Sequence, residues 1–161
     1  MLQGRIAPLA PPDGKTVTVL RGRLLRNSPW QTIEVIVMEF INDKNGTPPH
    51  GPYSHAVKSG NMLYISGQVP FDANGALIGA DIAAQTEQTM KNLASLLDSA
   101  GLGMKNIVKT TIYLANWDDF AGFNTMYSRF MGDHKPARAT VQVGGLVTGC
   151  LIEMEAIAEF S

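Results

Sequence analysis

Two short apolar stretches near the C-terminal end hold the residues best suited to chemistry. In Arg138-Ala139-Thr140-Val141-Gln142-Val143, strand alternation sets Arg138, Thr140 and Gln142 on one face and Ala139, Val141 and Val143 on the other. In Leu151-Ile152-Glu153-Met154-Glu155-Ala156-Ile157-Ala158, Glu153 and Glu155 share a face. Acids inside an apolar strand are costly to bury without partners. A guanidinium matches a carboxylate or phosphate with two parallel bonds. The expectation is that Arg138, at the start of one strand, and Glu153, early in the next, flank a small pocket. The competing reading is a cross-strand ion pair on a wet face.

Other polar groups are less specific. Gly51-Pro52-Tyr53-Ser54 and Ser66-Gly67-Gln68-Val69-Pro70 offer hydroxyls, an amide and an aromatic ring, but their composition is also that of ordinary turns. His50, His55 and His134 have no metal-ligand spacing, so no metal site is expected. Cys150 lies in a Gly-rich turn with no base nearby in sequence and reads as a structural thiol. Gly144-Gly145 is a turn and Gly101-x-Gly103 follows a helix, so no phosphate loop or dinucleotide fingerprint is present.

The elements that position these residues follow from pattern. Met38–Ile41, Tyr53–Lys58 and Met62–Ser66 read as strands, the last two joined at Ser59-Gly60-Asn61. Asp81 is an N-cap for a helix carrying Ile82, Thr86, Met90, Leu93, Leu96, Leu97 and Ala100, closed by Gly101. Ile107–Leu114 is β-branched and reads as a strand. A second helix begins near Asp118-Asp119 and presents Phe120, Phe123, Tyr127 and Met131 on one face. Ala139–Val143 and Leu151–Ala158 complete a β-β-β-α-β-α-β-β order. That order predicts an α+β two-layer sandwich, a mixed sheet covered on one face by two helices. The other sheet face still carries Ile, Val, Leu and Tyr, so its burial by self-association is expected.

The 161 residues carry a net charge of −1, are 45% hydrophobic and include one cysteine, which fits one globular domain without a disulfide framework. The charge is unevenly spread. Residues 1–37 hold five basic against two acidic residues, net +3, and the rest hold eight against twelve, net −4. A −4 domain is a poor match for nucleic acid held by bulk electrostatics, and no apolar run is long enough to span a membrane. Only two arginines, Arg129 and Arg138, lie beyond residue 37. Residues 1–37 contain four prolines and no sustained period; Thr16–Leu20 alone has strand character. They are expected to form an extension outside the folded domain, with 38–161 as that domain.

Seven motifs occur in order: Gly51-Pro52-Tyr53-Ser54-His55-Ala56-Val57, Ile65-Ser66-Gly67-Gln68-Val69-Pro70, Gln85-Thr86 with Asn92-Leu93, Gly101 with Val108-Lys109-Thr110-Thr111, Asp119-Phe120 with Asn124 and Tyr127, Pro136-Ala137-Arg138, and Ile152-Glu153-Met154-Glu155-Ala156-Ile157-Ala158. Together they resemble the YjgF/RidA family of reactive-intermediate deaminases over essentially all of 38–160. The resemblance implies a chorismate-mutase-like α+β fold and a cytoplasmic homotrimer with active sites between subunits. It implies hydrolysis of 2-imino and enamine acids, of the 2-iminobutanoate and 2-iminopropanoate type, to 2-oxo acids and ammonia without a cofactor. By motif, Arg138 would hold the substrate carboxylate and Glu153 would handle water, with Tyr53, Ser66 and Asn124 lining the pocket. Two features depart from the pattern. The Ser128–Lys135 loop is a few residues shorter than in the best-known members, and Thr140, also assigned to the pocket, stands where many carry Cys or Ser. A non-catalytic binder of small carboxylates, a chaperone-like trimer and a ribonuclease or translation inhibitor are the alternatives.

Overall fold

The computed structural model describes residues 17–20, 36–46, 48–147 and 149–160. Seven strands and two helices follow in chain order: β1 Val17–Leu20, β2 Ile36–Ile41, β3 Ala56–Ser59, β4 Met62–Gln68, α1 Ile82–Ser99, β5 Ile107–Leu114, α2 Phe120–Met131, β6 Ala137–Gln142 and β7 Ile152–Glu159. They form one sheet in the order β1-β2-β3-β4-β7-β5-β6. Every neighbouring pair is antiparallel except β5 and β6, whose connection through α2 returns the chain in the same direction. The expected α+β sandwich is the observed architecture.

Local chemistry accounts for the elements. Asp81 is the N-cap of α1, its carboxylate accepting the Ala84 N–H at 2.8 Å. Gly101, at φ 76°, turns the chain away after the last turn, a conformation that costs an L side chain. A 3-10 turn at Trp117–Asp119, opened by the Asn116 side chain, leads into α2. Gly132 ends that helix, so residues 128–131 of the segment expected as a loop are its last turn.

The core lies between the helices and one sheet face. Leu93, Leu97 and Phe123 from the helices meet Leu63, Ile112 and Met154 from the strands, all fully buried. Each such side chain stabilises the fold by about 1.5–3 kcal/mol relative to exposure. In β7 the alternation is clean: Ile152, Met154, Ala156 and Ala158 are buried, while Glu153, Glu155 and Ile157 turn to the other face. That open face keeps Phe40, Tyr64 and Val141 between 38% and 49% exposed, the apolar surface that the strand composition predicted.

Two expectations need correction. Residues 1–37 do not lie wholly outside the sheet: Val17–Leu20 pairs with β2, and β2 itself begins at Ile36. The Val-rich stretch supplies a pairing edge that β2 would otherwise leave open. The remaining residues of that segment lie outside the described ones. Strand β6 also begins at Ala137, two residues before the expected Ala139, so Arg138 is its second residue.

Candidate functional site

Arg138 is positioned by β6 from one side and α2 from the other. Its strand partner is Thr110 of β5, which faces the helices and is fully buried. Arg138 therefore projects on the helix side of the sheet, at the sheet edge that β6 forms. The Arg138 guanidinium carbon lies 5.0 Å from the centroid of the Tyr127 ring, 5.6 Å from Phe123 and 5.9 Å from Phe120. These ring faces attract the cation and restrict the side chain. Arg138 Nη1 donates to Asn124 Oδ1 at 2.8 Å, while the Tyr127 hydroxyl is paired with Thr110 Oγ1 at 3.1 Å. The rest of the exposed fork faces a cavity of about 330 Å³ lined by Asn124, Tyr127, Met131, Pro136 and Arg138. No described carboxylate pairs with it.

Thr140 follows Arg138 on the same face, but its hydroxyl is buried without a hydrogen-bond partner among the described residues. It contributes an unsatisfied polar atom behind Arg138 rather than a group presented to solvent.

Glu153 is built from other elements. The β4–β7 ladder runs in register to Ile65, opposite Ala156, and resumes at Gln68, opposite Met154. The bulge between them places Gly67 against the Glu153 carboxylate. A Cβ on Gly67 would overlap that carboxylate. Burial raises the Glu153 pKa above the ordinary carboxylate range, and the neighbouring Glu155 charge adds to the shift. Burial likewise raises Tyr113, which sits opposite Glu153 in the β5–β7 ladder, and the Glu155 charge and its hydrogen bond to the phenol act in the same direction. The buried Cys150 thiol is also raised, by burial first and then by Glu153. A thiol held protonated is a poor nucleophile.

Tyr53 and Ser66 belong to this second cluster. Tyr53 stands in the loop before β3, half exposed, with its hydroxyl accepting the His50 N–H at 3.4 Å. Ser66 Oγ donates to the Ser54 carbonyl at 2.7 Å, tying the loop to β4. Tyr53, Gly67 and Gln68 open onto a cavity of about 370 Å³ that continues past His55, Phe71 and Asn92. Among the described residues no three His, Cys, Asp or Glu side chains group as a metal site. His134 is absorbed structurally, its Nε2 lying 2.7 Å from the Ile107 carbonyl.

The expected pocket between Arg138 and Glu153 is not formed within one chain. β5 stands between β6 and β7, and the two side chains leave the sheet on opposite faces. The chain assembles two half-sites instead: Arg138 with Asn124, and Glu153 with Gly67, near Tyr53 and Ser66. An ion pair between Arg138 and Glu153 is excluded by the same geometry. The sequence reading missed Gly67, whose role depends on a bulge, and His55, which ligand spacing alone set aside.

Comparison with known proteins places the chain in a family. The family model described as Endoribonuclease L-PSP matches residues 44–160. A RutC family protein of Pyrococcus horikoshii is 43% identical over 121 residues, 74% of this chain and 96% of its own. The YjgF gene product of E. coli has a crystal structure similar to this chain at a TM-score of 0.71 and 38% identity, covering 76% of this chain and 98% of that one. E. coli TdcF, solved with bound serine, is similar at a TM-score of 0.72 and 32% identity, with 76% and 98% coverage.

Proposed function

Because the chain belongs to the endoribonuclease L-PSP family, with the YjgF/RidA proteins, we propose that it hydrolyses 2-imino acids, and their enamine tautomers, to 2-oxo acids and ammonia. The observation that carries this reading is the Arg138 fork, clamped at one nitrogen by Asn124, set against three rings and without an acid partner among the described residues. A planar donor pair of this kind suits a planar carboxylate, the one group that every 2-imino acid carries. The bound serine of TdcF is a small amino acid with such a carboxylate.

Glu153 supplies the other half of the chemistry. Water attacks C2 of the protonated imine, and Glu153 takes the proton that the new C–O bond releases. The resulting carbinolamine collapses as Glu153 returns a proton to nitrogen, the C–N bond breaks, and the hydroxyl proton passes to the freed carboxylate as the C=O bond forms. Ammonia leaves and carries that proton away as ammonium. The 2-oxo acid retains the oxygen of the water. A carboxylate with a raised pKa suits this two-way transfer near neutrality, because it both accepts and returns the proton readily. The substrate carbon is electrophilic without help, so no cofactor enters the scheme, and orientation of water and imine does most of the work.

Arg138 and Glu153 act on one substrate only when the half-sites come from two copies. The open sheet face with Phe40, Tyr64 and Val141 is the surface that a second copy would cover, and a cyclic homotrimer makes three such sites. The test couples this protein to a threonine dehydratase and traps the released imine with semicarbazide. Faster loss of the imine, largely lost in Arg138→Ala, supports the reading; decay at the uncatalysed rate refutes it.

A further inference from the structure

We propose that the cavity beside Tyr53 and Gly67 receives the side chain of the imino acid and that the buried His55 Nε2–H recognises a neutral hydrogen-bond acceptor near that side chain's end. The inference rests on the imine-hydrolase reading and names the substrate class that the same site prefers: 2-imino acids with a long, uncharged side chain that carries a hydroxyl or amide oxygen.

His55 is 9% exposed and lines the cavity. Its Nδ1 accepts the backbone N–H of Asp43 at 2.9 Å, so that nitrogen carries no proton and the neutral ring holds its hydrogen on Nε2. The His55 backbone N–H is fixed in turn by Asn42 Oδ1 at 3.0 Å. The imidazole is thus pinned, and Nε2–H has no partner among the described residues. A donor that lines a largely apolar cavity gains a hydrogen bond from an occupant that accepts from it.

Two other polar groups of the cavity, Asn92 and Asp43, are already engaged. Asn92 Nδ2 donates to the carbonyls of Val69 and Phe71, both at 2.8 Å, and Asn92 Oδ1 accepts from Gln88 Nε2 at 2.8 Å. Asp43 Oδ1 accepts from the Asn45 N–H at 2.9 Å and from Ser99 Oγ at 3.1 Å. Pro48, Tyr53, Val69, Phe71 and Val147 add apolar wall. This is a largely apolar pocket with a pinned imidazole donor on its wall, the kind of site that selects by shape and a few polar contacts. The Asp43 and Glu153 carboxylates near it disfavour a second charged carboxylate on the ligand. The volume, about 370 Å³, would hold roughly a dozen waters at ~30 Å³ each. A methyl or ethyl side chain would leave most of that space wet.

A matched pair of substrates isolates the contact. An L-amino-acid oxidase makes the imines of tyrosine and phenylalanine in the presence of the full chain, and kcat/KM is read from imine decay against semicarbazide trapping. The tyrosine imine should be favoured by about five- to tenfold, the worth of one recovered hydrogen bond. His55→Leu should bring the ratio near unity, and His55→Gln, which keeps an acceptor and a donor, should retain part of the preference. A wild-type ratio of one, or a preference unchanged in His55→Leu, overturns the proposal. If no imine is accelerated, the hydrolase reading falls, and calorimetry of 4-hydroxyphenylpyruvate against phenylpyruvate decides about the pocket. Tighter binding of the hydroxylated acid, lost in His55→Leu, supports it; equal binding overturns it.

Discussion

Arg138 and Glu153 leave the same sheet on opposite faces, with β5 between their strands. Each is prepared for its role where it stands. The arginine is held by Asn124 and three aromatic rings, and the glutamate is pressed against the Gly67 backbone with a raised pKa. Neither half-site alone contains what the proposed hydrolysis of imines requires, so the proposal has a partner copy present the complementary half.

Arg138→Ala should lower kcat/KM by about a hundredfold, the loss expected when charge-assisted hydrogen bonds to the substrate disappear. Arg138→Lys should recover little of it, since a lysine ammonium lacks the planar fork and loses the bond to Asn124. Steady-state kinetics of both variants check this. Full activity in the lysine variant would show that charge alone suffices.

In the proposed mechanism Glu153 sets the pH dependence. As the pH falls through its raised pKa the carboxylate takes up a proton and can no longer accept one from water, so kcat/KM should fall on the acid side. Glu155→Gln removes the neighbouring negative charge and should shift that limb to lower pH. A limb that stays in place would separate Glu155 from the chemistry.

The same shift has a consequence for stability. A carboxyl whose pKa is higher in the folded state favours folding at low pH, and that contribution is lost as the pH rises through the folded value. Glu153→Gln should therefore raise Tm at neutral pH, by on the order of 1 °C for a half-exposed group in a domain of this size. The gain should shrink as the pH falls below the ordinary carboxylate range. A Tm that drops at neutral pH would mean that the ionised carboxylate stabilises the fold.

Gly67→Ala should leave the fold intact and damage turnover. Gly67 is not among the positive-φ glycines, so alanine meets no backbone strain there, but its methyl would displace the Glu153 carboxylate. A displacement of about 1 Å can cost a hundredfold in rate. The loss should appear in kcat more than in KM, with an unchanged circular-dichroism spectrum.

Much of the scaffold was legible from local pattern. Asp81 and Gly101 bracket α1 because a cap and a left-handed terminus have sequence signatures, and Ile107–Leu114 is a strand with the bounds its β-branched residues suggested. Alternation also placed Arg138, Thr140 and Gln142 together on one face of their strand and Glu153 with Glu155 on one face of theirs. What pattern does not encode is strand order. The insertion of β5 between β6 and β7 is a pairing of distant segments, and with the opposite faces of Arg138 and Glu153 it turns two neighbouring strands in sequence into two separate half-sites. The Gly67–Glu153 contact was hidden for a similar reason, because it arises from a bulge in the β4–β7 ladder. The pairing of Val17–Leu20 with β2 is equally nonlocal, and composition alone set that segment apart.

Co-expression of Arg138→Ala and Glu153→Gln chains tests the central claim most directly. Each variant alone lacks one half of every site. In mixed cyclic trimers about a quarter of the interfaces should join an intact Arg138 from one copy to an intact Glu153 from the next, restoring about a quarter of the wild-type imine-hydrolase activity. Activity no greater than that of the separate variants, in oligomers shown to contain both chains, would contradict a site shared between copies.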